Sequence, residues 1–129
     1  MILYYFTSAV HLPRIQEAGL LRLTESNIHM TKAHAGPDVV WFTTEPTADL
    51  GHGLHGVVNK KEVRFTVEIP DHWVKPWLSW AVSQGIDPEW MGYLVQAGGG
   101  MEAAETWMVT FRPVRQDRWV SIEREGVLA

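Results

Sequence analysis

The chain has 129 residues, of which 46% are apolar and 20% charged, a composition typical of one compact globular domain spanning residues 1–129. Its net charge of −4 gives no global electrostatic basis for nucleic-acid binding, and the absence of cysteine excludes disulfides, thiolate metal ligands and cysteine nucleophiles. No basic leader precedes the first strand, and no apolar run reaches the roughly 18 residues of a membrane span. We therefore expect a cytoplasmic protein without membrane contact.

The first third of the chain predicts two aromatic strands and one helix. Residues 2–6 are typical of a strand, and apolar residues at helical spacing predict a helix over 11–18 that ends at Gly19. Residues 39–43 form a continuous apolar run, typical of a strand covered on both faces.

Each aromatic strand ends in two hydroxyl side chains. Thr7 and Ser8 close the first strand, and Thr43 and Thr44 close the second. We expect this layout to place rings and hydroxyls together at one end of a small sheet, where a nucleotide fits.

The rest of the chain predicts further strands and two more helices. Residues 24–36 and 47–60 are typical of loops, and alternation predicts a strand over 63–69. The remaining elements are helices over 76–84 and 87–97 and strands over 107–111 and 120–122. Five or six strands with about three helices, outside βαβ alternation, indicate an α+β fold.

Two motifs give little support to common chemistries. His52 and His55 lie among glycines with a two-residue spacer, which falls short of the rigid ligand set of a zinc site, so we expect no metal. Residues 98–100 are three glycines without the Lys-Ser/Thr of a phosphate loop, and a helix stop is the better interpretation.

The tryptophans and C-terminal arginines each allow two interpretations. Either some of the seven tryptophans line a pocket or a contact surface, or all seven belong to the core or its edge. Arg112, Arg115, Arg118 and Arg124 form either a basic patch or a solvated strand edge, and the latter is favoured.

Two carboxylates precede the strand over 107–111. Glu102 or Glu105, projecting toward a cleft floored by aromatic and hydroxyl side chains, can accept a hydrogen bond from a sugar and stabilise positive charge at an anomeric carbon. The expected floor consists of Tyr4, Tyr5, Trp41 and Thr43. An exposed glutamate in a turn is the competing interpretation, favoured by composition alone.

Three sequence blocks resemble the small ADP-ribosyltransferase-fold proteins. LYYFTS followed by HLPRIQEAGLL (residues 3–8 and 11–21) is similar to the family's first block, and VVWFTTEP (39–46) resembles the second. Glu105 in ETWMVTFRPV is the best match to the third. The family includes bacterial DNA-modifying ADP-ribosyltransferase toxins and tRNA 2′-phosphotransferases.

The resemblance implies a split β-sandwich of about six strands whose cleft binds NAD as substrate, with no metal. Glu105 would hold the ribose 2′-hydroxyl and stabilise the oxocarbenium-like transition state as nicotinamide leaves. The implied NAD-binding residues are Tyr4, Tyr5, Thr7, Trp41 and Thr43. The ADP-ribose would pass to a macromolecular acceptor, protein or nucleic acid.

Tyr5 stands where the family usually has a histidine that binds the NAD ribose. A tyrosine hydroxyl also donates and accepts, but lies farther from the backbone. The departure leaves a second hypothesis open, a catalytically inactive module of the same fold that binds a nucleotide or a protein partner.

Overall fold

A computed structural model describes residues 1–22, 38–47, 62–124 and 127–128, and the α+β class predicted from the sequence is confirmed. In these ranges the strands are β1 (Ile2–Thr7), β2 (Leu20–Leu21), β3 (Val40–Thr43), β4 (Val63–Glu68), β5 (Val74–Pro76), β6 (Trp107–Thr110), β7 (Val114–Arg115), β8 (Trp119–Arg124) and β9 (Val127–Leu128). The α-helices are α1 (Leu12–Ala18), α2 (Trp77–Ser83), α3 (Pro88–Ala97) and α4 (Met101–Ala104). None of these helices is long and apolar enough to cross a membrane.

Seven strands form an antiparallel sheet in the order β5-β6-β3-β1-β4-β8-β9, and β2 pairs with β7 as a separate ribbon. β1 pairs with β4 along its whole length, but its only recorded register pair with β3 joins Tyr4 to Thr43. The sheet therefore consists of two strand groups, β5-β6-β3 and β1-β4-β8-β9, that meet at one narrow junction.

Both strand groups contribute to a first hydrophobic core. Alternate residues of β1 and β4 enter it, and α1 and the β2-β7 ribbon close it. Its buried members are Leu3, Leu12, Leu21, Val40, Phe42, Val63, Phe65, Val67, Ile69, Val74 and Val114.

A second core lies on the opposite face of β3 and β6, under α2, α3 and α4. Trp77 and Trp80, three residues apart on α2, share one face of the helix and are both buried there. The other buried members are Val39, Ala81, Ile86, Trp90, Val95, Ala104, Trp107 and Val109. Core residues on both sides of β3 confirm that this strand is covered on both faces.

The predicted helix ends have a clear physical basis. Gly19 ends α1 with φ +69°, a left-handed conformation that favours glycine, and Asp87 caps α3 by accepting a hydrogen bond from the Glu89 amide at 3.1 Å. Gly99 and Gly100 also have positive φ, so residues 98–100 form the expected stop. The four-residue α4 and the two- to three-residue strands were not predicted, because they are too short to show a period.

The expectation that both hydroxyl pairs lie at one end of the sheet is wrong. Because β1 and β3 are antiparallel, with Tyr4 opposite Thr43, the end of one strand lies toward the beginning of the other. Thr43 is therefore near the middle of β1, and Thr7 is at the other end of the strand pair.

Candidate functional site

A cavity of about 160 Å³ lies between β1 and α1. Ile15, Ala18 and Leu20 provide its apolar lining. Its polar lining consists of Tyr5, Thr7, His11, Arg14 and Arg22. No carboxylate is among the lining residues that the structure describes, so the two guanidinium groups give this lining a positive charge that suits an anionic group.

Local structure explains why these side chains face one another. Tyr5 and Thr7 share the face of β1 that carries Leu3 into the first core, because side chains alternate along a strand. On α1, Arg14 and Ala18 are one turn apart and lie on the same side of the helix. The left-handed Gly19 then reverses the chain into β2, which adds Leu20.

The side chain of Tyr5 contacts both strand groups. Its ring packs edge-on against Phe42 of β3 and Phe65 of β4, each at a centroid distance of 6.0 Å. Burial raises the pKa of the Tyr5 hydroxyl above its ordinary value. The hydroxyl is therefore protonated at neutral pH and remains a hydrogen-bond donor.

Ser8 immediately follows the cavity-lining Thr7 and is fully buried. Its carbonyl accepts a hydrogen bond from the His11 amide at 3.1 Å, but within the described ranges its hydroxyl has no partner. A buried unsatisfied hydroxyl costs about 1–3 kcal/mol.

Glu105 lies in the turn between α4 and β6, and its side chain is exposed, as is that of Glu102. The next residue anchors this turn: the Thr106 hydroxyl donates to the Ala103 carbonyl at 2.7 Å and accepts from the Thr43 hydroxyl at 2.9 Å. The Thr44 amide also donates to the Thr106 carbonyl at 3.0 Å. The structure therefore places Thr43 against the turn that carries Glu105.

The expected floor of four residues is not formed in one cleft. Tyr5 and Thr7 face the first core, whereas Tyr4, Trp41 and Thr43 belong to the alternate positions of their strands and point to the other face. The predicted floor was based on residue type and on order along the chain, and it ignored that successive side chains of a strand point to opposite faces of the sheet.

The residues on that other face have partners of their own. Trp41 packs against Trp77 and Trp107 at centroid distances of 5.5 and 5.9 Å, and the Arg64 guanidinium lies 5.2 Å from the centre of the Tyr4 ring. These contacts show Trp41 as a packing residue of the second core.

Phe42 provides the physical link between the cavity and the Glu105 turn. It contacts the Tyr5 ring, and the next residue, Thr43, binds Thr106. The two parts of the predicted site are thus connected across β3 without sharing one surface.

The cavity includes functional candidates that the sequence reasoning did not assign. His11 and Arg14 are three residues apart on the predicted helix, and Arg22 follows its end. The sequence signal that could have identified them is the helical spacing that places the basic side chains of His11 and Arg14 on the same helix face as Ala18. Arg22 depends on the chain reversal at Gly19, which places it beside β1.

The other sequence hypotheses have mixed outcomes. His52 and His55 lie outside the described residues, and within the described ranges no group of three or more His, Cys, Asp or Glu is placed to hold a metal. Four tryptophans are buried in the second core, whereas Trp41, Trp73 and Trp119 are half-buried.

Comparison with protein-family models, curated proteins and solved structures finds no match to this chain.

Proposed function

We propose that this chain is an NAD-dependent ADP-ribosyltransferase, or a closely related nucleotide-handling enzyme, that acts on a macromolecular acceptor. The cavity between β1 and α1 carries the proposal, because it joins Tyr5 and Thr7 to Arg14 and Arg22, with no carboxylate among its described lining residues. Its volume of about 160 Å³ is below the size of a whole ligand pocket, so it would take a phosphate and part of a ribose.

The arrangement of the three sequence blocks also supports this function. They are far apart in the chain but form the adjacent strands β1, β3 and β6. The narrow junction between β1 and β3, together with a core shared by both strand groups, is compatible with the split β-sandwich that the resemblance implies.

In the proposed reaction the arginines bind the phosphates and orient the nucleotide. The protonated Tyr5 hydroxyl takes the place of the family's histidine as a donor to the ribose. Glu105 lies outside the cavity, so its role of stabilising the positive charge as nicotinamide leaves requires that the bound nucleotide extend from the cavity past Phe42 to the turn that carries Glu105. Thr106 and Thr43 hold the turn that carries this carboxylate.

Release of nicotinamide from NAD, and transfer of label from NAD to protein, DNA or RNA, test the proposal. We expect Glu105→Gln to lower the rate about 100-fold or more, since losing one charge-stabilising group has that effect in other enzymes. Glu102→Gln is the matched control, because Glu102 is also exposed and lies one turn earlier. Equal activity of both variants would remove Glu105 from the mechanism.

The second candidate function is an inactive nucleotide-binding module of the same fold, and Tyr5 is the residue that favours it. Under this alternative ADP-ribose raises the melting temperature while no nicotinamide is released. Both candidate functions predict that ADP-ribose raises the melting temperature of the wild type and that Arg14→Gln abolishes this rise. In a protein without a nucleotide site, ADP-ribose leaves the melting temperature of the wild type and of the variant unchanged.

A further inference from the structure

A second group of basic and aromatic side chains lies outside the cavity between β1 and α1. Trp73 is in the turn before β5, Arg112 follows β6, and Arg118 is in the turn before β8. The guanidinium carbons of Arg112 and Arg118 lie 4.7 and 5.0 Å from the centre of the Trp73 ring. Three separate segments thus meet at one half-buried ring, which packs against the first core.

Within the described ranges, the two arginines contact the Trp73 ring and no carboxylate. In the described part of the chain, neither guanidinium has an ion pair or a hydrogen bond to another residue. Arg64, which lies over the Tyr4 ring, is different: it donates to the Glu123 carboxylate and, at 2.7 Å, to the Pro46 carbonyl. Among the described residues, the N–H donors of Arg112 and Arg118 therefore have no acceptor, and cation–π contacts restrict the positions of both side chains.

Both arginines are suited to an anionic ligand. Both guanidinium carbons are close to the same ring centre, so they are at most about 10 Å apart, and each planar fork matches the oxygens of a phosphate group. The nearest carboxylate in sequence, Asp117, forms no ion pair with them, and Asp71 is paired with the Met1 amino group at 3.0 Å.

We propose that Arg112, Arg118 and Trp73 form a second binding site, which takes a phosphate group. Arg118 also lines a groove of about 380 Å³. The groove carries Glu68 and Asp117, which disfavour an anion in its interior, so the phosphate binds at the guanidinium groups and not deep in the groove. The inference does not depend on the proposed NAD site.

Titration of the full chain, followed by the ¹H–¹⁵N resonances of the Trp73 indole and the two arginines, tests this site. Inorganic phosphate and a short oligothymidylate serve as separate probes. Saturable shifts with both probes would show that a free phosphate group suffices, and shifts with the oligonucleotide alone would identify a nucleic-acid strand as its source. The proposal is overturned if neither probe moves these resonances.

Variants distinguish a defined site from diffuse charge attraction. We expect Arg112→Gln and Arg118→Gln each to weaken binding about tenfold or more, because each removes charge-assisted hydrogen bonds. Arg115→Gln is the matched control: it makes the same charge change at an exposed position between them. An equal loss with Arg115→Gln would contradict the proposal.

Conservative variants and the distant cavity give two further controls. Arg112→Lys keeps the charge but loses the planar fork, so we expect affinity between those of the wild type and Arg112→Gln. Arg14→Gln removes a guanidinium from the other cavity and should leave the Trp73 shifts unchanged. The resonances of Trp73 and its two arginines thus report on the phosphate site, whereas the effect of Arg14→Gln reports on the NAD site, so the failure of one proposal can be distinguished from the failure of the other.

Discussion

Gly98, at the end of α3, has no room for a side chain. A Cβ atom there would lie 2.2 Å from Cζ2 and 2.5 Å from Cη2 of Trp107. The Trp107 ring is only 5% exposed and packs against Trp41 and Trp77, so it has little space to retreat. The backbone of Gly98, with φ −91°, is open to alanine. We therefore expect Gly98→Ala to lower the free energy of unfolding by about 1–3 kcal/mol through overpacking alone.

Gly92→Ala is the matched control for this substitution. Gly92 is exposed in the interior of α3, and a Cβ atom there would meet nothing within 4 Å. Alanine should raise stability by about 1 kcal/mol at this position, because glycine is the poorer helix former. The two Gly→Ala changes in one segment thus have opposite expected signs.

Urea unfolding followed by tryptophan fluorescence and circular dichroism measures both effects. Wild-type stability of Gly98→Ala would refute the packing account of this glycine. A loss of nucleotide affinity in Gly98→Ala without loss of stability would instead favour the phosphate-loop interpretation of residues 98–100.

Three further substitutions test other contacts. Thr106→Val should cost about 1–2 kcal/mol in urea unfolding, because it removes the hydrogen bonds with Thr43 and Ala103, whereas Thr66→Val, a half-buried strand threonine, should stay within about 0.5 kcal/mol. Asp87→Ala should cost about 1 kcal/mol in the same assay by removing the cap of α3. Burial raises the pKa of Tyr5 in the folded protein, so the unfolded chain ionises first, above about pH 10. The contribution of Tyr5 to the free energy of unfolding is therefore fully present at neutral pH and is lost as the pH rises above that value. Tyr5→Phe should flatten the alkaline part of the stability profile, and an unchanged profile would contradict this assignment.

The sequence predicted the elements whose pattern is long enough to be read. β4 alternates over six residues, α3 has a cap and a proline at its start and glycines at its end, and Gly19 ends α1 as expected. The two-residue strands β2 and β7 have no period and form only because distant segments pair. Their existence depends on tertiary structure that no local pattern reports.

The site was predicted less completely than the fold. Tyr5 and Thr7, which the resemblance assigns to NAD binding, line the polar cavity, and Thr43 bonds to the residue after Glu105. Their roles toward NAD stay predictions. The direction of pairing and the face of each strand remained undetermined, so Trp41 was expected beside Tyr5, whereas it is half-buried on the other face of the sheet and packs against the second core.

Arg14 and Arg22 show a different difficulty. Each is an ordinary surface arginine by sequence, and only the close approach of α1 to β1 makes them members of one cavity.

Titration of the chain with ADP-ribose, followed by residue-resolved ¹H–¹⁵N spectra, tests whether the cavity between β1 and α1 binds a nucleotide. We expect saturable shifts at Tyr5, Thr7, His11 and Arg14, smaller or no shifts at Trp41, and loss of all of them in Arg14→Gln. Shifts confined to the Trp73 group, or no shifts at all, would contradict a nucleotide site between β1 and α1.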